Sequence, residues 1–291
     1  MDGPSSAVEA AWRWHRLWSR AADSGRARLE KWRSVNLALL IVGAVLGAVA
    51  TQADWPREVT RTAAGAAAFA LTVSGIVQQR GLNAGEVARW TGARAASEAL
   101  KAEVFRHLAG VAPYAGDDRD ERLDSQVEAI QNKAKGLLRD LQRTPSDAEP
   151  LPAVHDLDSY LANRAREQAT WHRAKIHEHE QAAARIRSAE LAATLIAALL
   201  AAVGSAVDAG GLPVWIGVAT TLSAALAAHA NATQHDRIAA MFAATAMQLD
   251  LLVERFARTN DPALGAQFVI DVEHRLATQN ESWFGVFPTR L

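Results

Sequence analysis

Chemistry in this chain rests on a few polar groups set in apolar surroundings. Between residues 213 and 230 (PVWIGVATTLSAALAAHA), Thr220, Ser223 and Ala227 fall on one helical stripe that continues to Asn231. Thr221, Ala225 and His229 make the adjacent stripe. Polar groups are costly in lipid and tend to face a bundle interior or water. Small side chains leave room, and hydroxyls or amides replace part of an ion's hydration shell, so such a stripe from several subunits could line a pore. The same residues also suit tight packing, with Thr and Ser bonding to their own helix backbone. Both readings stay open at this point.

Gly43 and Gly47 form a GxxxG pair on an apolar background, so two helices could approach closely there, within a hairpin or between subunits. His229 and His235 could titrate near neutral pH and gate a pathway, or simply cap a helix end. His177-Glu178-His179-Glu180 suggests a metal site only at first sight. Residues two apart on a helix point about 200° apart, so the two imidazoles cannot share an ion, and adding His172 does not help. We expect no metal and no cofactor. Trp12, Trp14 and Trp18, interleaved with Arg13, Arg16 and Arg20, could lie at the headgroup level of a membrane or pack on neighbouring helices. No P-loop, GxSxG, HExxH or GxGxxG occurs, and catalysis is not expected.

The elements that position these groups are four apolar stretches in two pairs: 35–51 with 62–77, and 190–207 with 213–230. About 17 or more apolar residues suffice to cross a bilayer as a helix. A short turn joins each pair, so each pair reads as a transmembrane hairpin. The stretch 62–77 (TAAGAAAFALTVSGIV) is the weakest, being mostly Ala; alone it could be a helix of a soluble bundle, but it completes a hairpin. Equivalent spans lie about 150–155 residues apart, so the halves read as divergent repeats.

Composition agrees. Hydrophobic residues make up 49% of a chain that is also 22% charged, which means that the apolar residues are concentrated in segments. A net charge of −1 excludes a global basic field for nucleic acid. The chain has no Cys and so no disulfide framework or thiolate site. The first 34 residues hold no apolar signal-peptide core. Basic residues crowd before the first span and through the central region, whereas the first turn balances Arg57 and Arg61 against Asp54 and Glu58 and the second turn (DAGGLP) has none. The positive-inside bias therefore predicts cytoplasmic termini and a cytoplasmic central region, with Trp55 and Trp215 at the outer interface. The Ala- and Arg-rich usage fits a GC-rich bacterial genome, and the expected location is the bacterial inner membrane.

Around the hairpins the pattern is helical throughout. Val87, Trp90, Ala93, Leu100, Val104 and Leu108 share a face after the second span, as do Ile238, Met241, Leu249, Leu252 and Phe256 after the fourth. Residues 117–143 read as one polar helix, 144–156 as a Pro-containing linker, and Pro262–Gln279 as the last helix.

In the second half Tyr160-Leu161, Arg164, Gln168, Trp171 and Lys175, closed by Phe268-Val269, Glu273, Leu276, Asn280-Glu281 and Trp283, resemble the SLATT superfamily of small two-span membrane effector domains. Trp90, Arg94, Ala96, Glu98, Lys101 and Glu103 after the first hairpin are similar to the same pattern. The resemblance covers roughly residues 12–110 and 158–284. It implies membrane-perturbing, pore-forming effectors of prokaryotic conflict systems, often found beside nucleotide-synthesising or nucleotide-sensing proteins.

The expectation is an all-α polytopic membrane protein: two transmembrane hairpins extended by long cytoplasmic helices. Residues 1–116 and 158–291 form two hairpin domains, and 117–157 forms a cytoplasmic helix and linker. The expected partners are the lipid bilayer, further copies of the chain in a homo-oligomer, and a cytoplasmic regulatory protein, with no nucleic acid. The expected function is an ion-conducting pore; a non-conducting scaffold or sensor is the alternative.

Overall fold

Ten α-helices follow one another among the described residues, with no strand between them. The computed structural model describes residues 6–52, 55–141, 149–206, 212–259 and 261–286; the side chains of 139, 140, 262 and 281–286 lie outside that description, as do Asp54, the end of the expected polar helix (142–143), the first part of the linker (144–148) and most of the second turn. The helices are α1 (Ser6–Ala50), α2 (Arg57–Gly81), α3 (Ala84–Leu108), α4 (Arg119–Lys133), α5 (Leu138–Leu141), α6 (Leu157–Tyr160), α7 (Glu167–Ala206), α8 (Leu212–Thr233), α9 (His235–Thr259) and α10 (Gly265–Val286). A π-helical stretch, Leu161–Arg166, carries α6 into α7, and single 3-10 turns precede α5 and α10.

Local chemistry sets several of these boundaries. Pro56, with φ −53° and ψ 135°, stands at the N-cap of α2, where a missing N–H costs nothing. Asp156 caps α6 by accepting from the Ser159 N–H at 2.7 Å, while the Ser159 hydroxyl reaches back toward the cap backbone. The polar helix expected over 117–143 breaks after Lys133 into a 3-10 turn and the short α5; Gly136, a poor helix former, lies in the break.

The chain forms two compact units. One comprises residues 28–83 and 178–236, the other residues 1–27, 84–177 and 237–291. The chain passes between them within α1, after α2, within α7 and near the start of α9.

The first of these, the span unit, holds the four windows long and apolar enough to cross a membrane, in the helices beginning at Ser6, Arg57, Leu157 and Leu212. The chain is a multi-pass membrane protein. Val42 and Val45 of α1, Phe69 and Ile76 of α2, and Leu195 and Leu199 of α7 are exposed on it, as lipid-facing positions are. The second, the bundle unit, has an ordinary core. Phe105, Tyr160, Leu249, Phe268, Val269 and Leu276 are buried together from α3, α6, α9 and α10. Val8, Trp12, Val104, Tyr114 and Leu123 make a second cluster. Burying side chains of this size contributes roughly 1.5–3 kcal/mol each.

Candidate functional site

Within the span unit the small residues have separate tasks. A Cβ on Gly43 would lie 2.8 Å from Leu71 Cδ2 and 2.9 Å from its Cγ, so Gly43 is the point of close approach between α1 and α2. Ser74, buried in the same hairpin, donates to Asn36 Oδ1 at 2.8 Å. A Cβ on Gly47 would meet nothing within 4 Å. Gly47 lines a lateral cavity of about 370 Å³ with Ala44, Ala48, Val214, Gly217 and Thr221. The GxxxG pair thus divides into one packing glycine and one glycine facing open space.

Helix α8 differs from the other three. Its exposed positions include Gly217, Thr220, Thr221, Ala224, Ala228 and Asn231, and none of its large apolar side chains is exposed. Of the expected stripe, Thr220 and Asn231 are exposed, whereas Ser223, Ala227 and His229 are half-buried. Ser223 Oγ lies 3.0 Å from Thr194 Oγ1, which ties α8 to α7. The Thr220 hydroxyl donates to the carbonyls of Ile216 and Gly217 at 3.0 Å each, and that of Thr221 to Gly217 at 2.8 Å.

His235 and His229 part company. His235 Nδ1 lies 2.8 Å from Nδ1 of the buried His179, so one ring must donate and the other accept. It follows Gln234, whose φ of +55° marks a left-handed break between α8 and α9. His177 is exposed and His172 is buried in the bundle unit. Trp12 and Trp18 are buried in the bundle unit, where Trp18 Nε1 donates to Gln131 Oε1 at 3.1 Å, and Trp14 is exposed. Trp55 is exposed beside the first turn and Trp215 half-buried in the first turn of α8.

The bundle unit contains a polar network that pattern-reading did not foresee as a structure. Glu273 on α10 is buried and takes three hydrogen bonds: from Tyr160 Oη at 2.8 Å, Arg164 Nε at 2.9 Å and Arg164 Nη2 at 2.9 Å. Burial works against the Arg164 charge, and Glu273 more than reverses this, so the guanidinium is held above its ordinary pKa. Its carbon also sits 4.3 Å from the Phe105 ring centroid, a cation–π contact. Burial first, then the Glu273 carboxylate, pushes the Tyr160 hydroxyl up.

The first half repeats the theme. Glu103 on α3 accepts from Tyr114 Oη at 2.5 Å and from Arg106 Nη2 at 2.8 Å. Beside it, burial alone would raise Glu98, but Lys101, Arg94 and Arg164 hold its carboxyl at about 2. Buried His15, with Nδ1 2.9 Å from the Ser97 carbonyl, is pushed down to about 4 by burial and Lys101, against the pull of that carbonyl. Tyr160, Arg164, Glu273, Glu98, Lys101 and Glu103 are among the residues that carry the resemblance noted from sequence. Their signal was present; what it could not convey is that partners 109 and 113 residues apart meet.

Compared with known families, residues 160–283 match the model described as SMODS and SLOG-associating 2TM effector domain 1, and residues 16–122 match DUF4231, described as a protein of unknown function. No curated protein and no solved structure matches the chain.

Proposed function

Residues 160–283 belong to the SLATT family of two-transmembrane effector domains, and from that premise we propose that the chain is an oligomeric membrane effector that opens an ion-conducting pathway, in a prokaryotic defence or conflict system. The observation that carries this reading is the outer face of α8. The other three apolar helices expose Val, Leu, Ile or Phe, whereas α8 exposes Gly, Ala, Thr and Asn. Lipid tails gain nothing from a hydroxyl or an amide, while a neighbouring helix or a file of water does. In an oligomer, Thr220 and Asn231 of each copy would line the pathway, with Ser223, Ala227 and His229 along its flank.

The proposed orientation places both termini and the bundle unit in the cytoplasm of a bacterial inner membrane, by the distribution of Lys and Arg. Trp55 and Trp215 would then sit at the outer interface, and Trp14 remains available to the inner one. Opening would begin in the bundle unit, with no catalytic step: a cytoplasmic protein alters the packing of its helices, and α1 and α7, which run unbroken into the span unit, turn the spans.

Current across a planar bilayer holding the purified protein tests this. Discrete conductance should appear, and Thr220→Val with Asn231→Leu should lower the unit conductance by about twofold or more, because the coordinating groups are removed. A bilayer silent at all pH values and voltages, with the protein inserted, would overturn the reading. The second reading is a non-conducting scaffold that recruits a cytoplasmic partner. It is favoured by Thr220 and Thr221 engaging their own helix backbone, as packing residues do.

A further inference from the structure

Among the described residues, eight large apolar side chains outside the four apolar stretches are exposed, and two of them share one face of α9. Met247 is 57% and Leu251 51% exposed. Ala240 and Ala244 are exposed on the same face. Apolar groups at 240, 244, 247 and 251 follow the four-then-three spacing of a coiled-coil seam. The other face of α9 is already used: Ile238, Phe242 and Leu249 are buried in the core of the bundle unit. The helix is therefore apolar on two sides, and the chain itself covers one.

We propose that this face of α9 packs in parallel against the same face of a second copy of the chain. Charge complementarity identifies the occupant. With Ala244 and Leu251 at the a positions and Ala240 and Met247 at d, Asp250 falls at g and Arg255 at the following e. A parallel pair brings each g residue against the e residue five positions further along in the other copy, so Asp250 meets Arg255 twice. Asp250 accepts from Arg173 through Oδ1 only, and Arg255 makes no ion pair among the described residues. Glu254 and Arg258 then end the apolar stripe with charge. Copies that cross one membrane in the same sense are related by an axis along the membrane normal, and like helices can meet in parallel about it. The seam is short, but confinement to a membrane raises the effective concentration of the copies. The inference rests on the oligomeric membrane reading above and names the surface through which that oligomer forms.

The chain has no cysteine, so Ala240→Cys, Ala244→Cys, Met247→Cys and Leu251→Cys can each be introduced singly into the full chain and oxidised in its membrane. All four should give a dimer band on non-reducing gels, and Glu128→Cys, exposed on α4, should give little. Asp250→Arg should reduce the Met247→Cys band severalfold, and adding Arg255→Asp should restore it. Bands at neighbouring positions only, fading away from a centre, would mean antiparallel pairing and overturn the proposal. No band at any position, where each cysteine still reacts with a maleimide dye, would overturn it as well. Conductance separates the two readings: current without cross-links sinks this seam alone, and cross-links in a silent bilayer sink conduction alone.

Discussion

Among single residues, Glu273 is the most consequential. A buried carboxylate is tolerable only where its charge is met and its lone pairs are occupied, and Tyr160 with the two nitrogens of Arg164 does both. Replacing the whole pair by apolar groups can be neutral, whereas removing one member strands the other charge. Arg164→Met should therefore cost about 3–5 kcal/mol of unfolding free energy. Tyr160→Phe, which removes one of three donors, should cost about 1–2 kcal/mol. The double change Arg164→Met with Glu273→Met should recover much of the first loss. Urea unfolding at fixed detergent, followed by helical circular dichroism, measures all three. An Arg164→Met variant within about 1 kcal/mol of the parent would show that the guanidinium is not the partner that matters.

At the level of elements, α2 explains how so alanine-rich a helix takes its place. Its buried residues Ala63, Ala67, Ala70, Ser74 and Val77 repeat every four and three positions and give α2 a smooth small face, while Phe69 and Ile76 are exposed on other sides. The contact is tight at Gly43 and open at Gly47, which predicts opposite tolerance. Gly43→Leu should destabilise the hairpin by about 1–3 kcal/mol, as overpacking does, and Leu71→Ala should relieve it. Gly47→Ala should stay within about 0.5 kcal/mol. Heat-induced unfolding in detergent measures both, and equal losses at the two glycines would contradict the division of labour. Much of this layer was legible in the sequence because run length marks a span without knowledge of its neighbours. The stretch 35–51 ends one residue past α1, and 62–77 and 213–230 fall inside α2 and α8. The last helix begins three residues later than expected, after the 3-10 turn Pro262–Leu264, and extends to Val286. The exposed face of α8 was half legible: Thr220 and Asn231 lie on it, but only the fold shows that Ser223 turns toward Thr194. The buried network was legible as a pattern and not as a contact, since an Arg on a charged helix looks solvated until the distant carboxylate is placed beside it. The pairing of His179 with His235, 56 residues away, was hidden for the same reason.

For the molecule as a whole, the compact units are not consecutive in sequence. Each half of the chain gives one hairpin to the span unit and helices to the bundle unit. A chain that crosses a bilayer an even number of times returns to its starting side, so under the proposed topology the bias in Lys and Arg would set the sense of every span together. Seven basic residues lie between positions 13 and 33, against Arg57 and Arg61 beside the first turn, where Glu58 offsets one of them. Reversing the topology would carry the basic N-terminal segment and the whole bundle unit across the membrane, with the charges of α4 and the buried ion pair of Arg164 and Glu273. The prediction is therefore all-or-none. In intact cells a membrane-impermeant maleimide should label Gln52→Cys and Ser205→Cys, near the two turns, and should label Glu9→Cys and Glu128→Cys only after permeabilisation. Because the parent has no cysteine, each signal comes from one position. Labelling of Glu128→Cys in intact cells would invert the topology. Labelling of Gln52→Cys without Ser205→Cys would mean that the second hairpin does not cross, and α8 could not then line a pathway through the membrane.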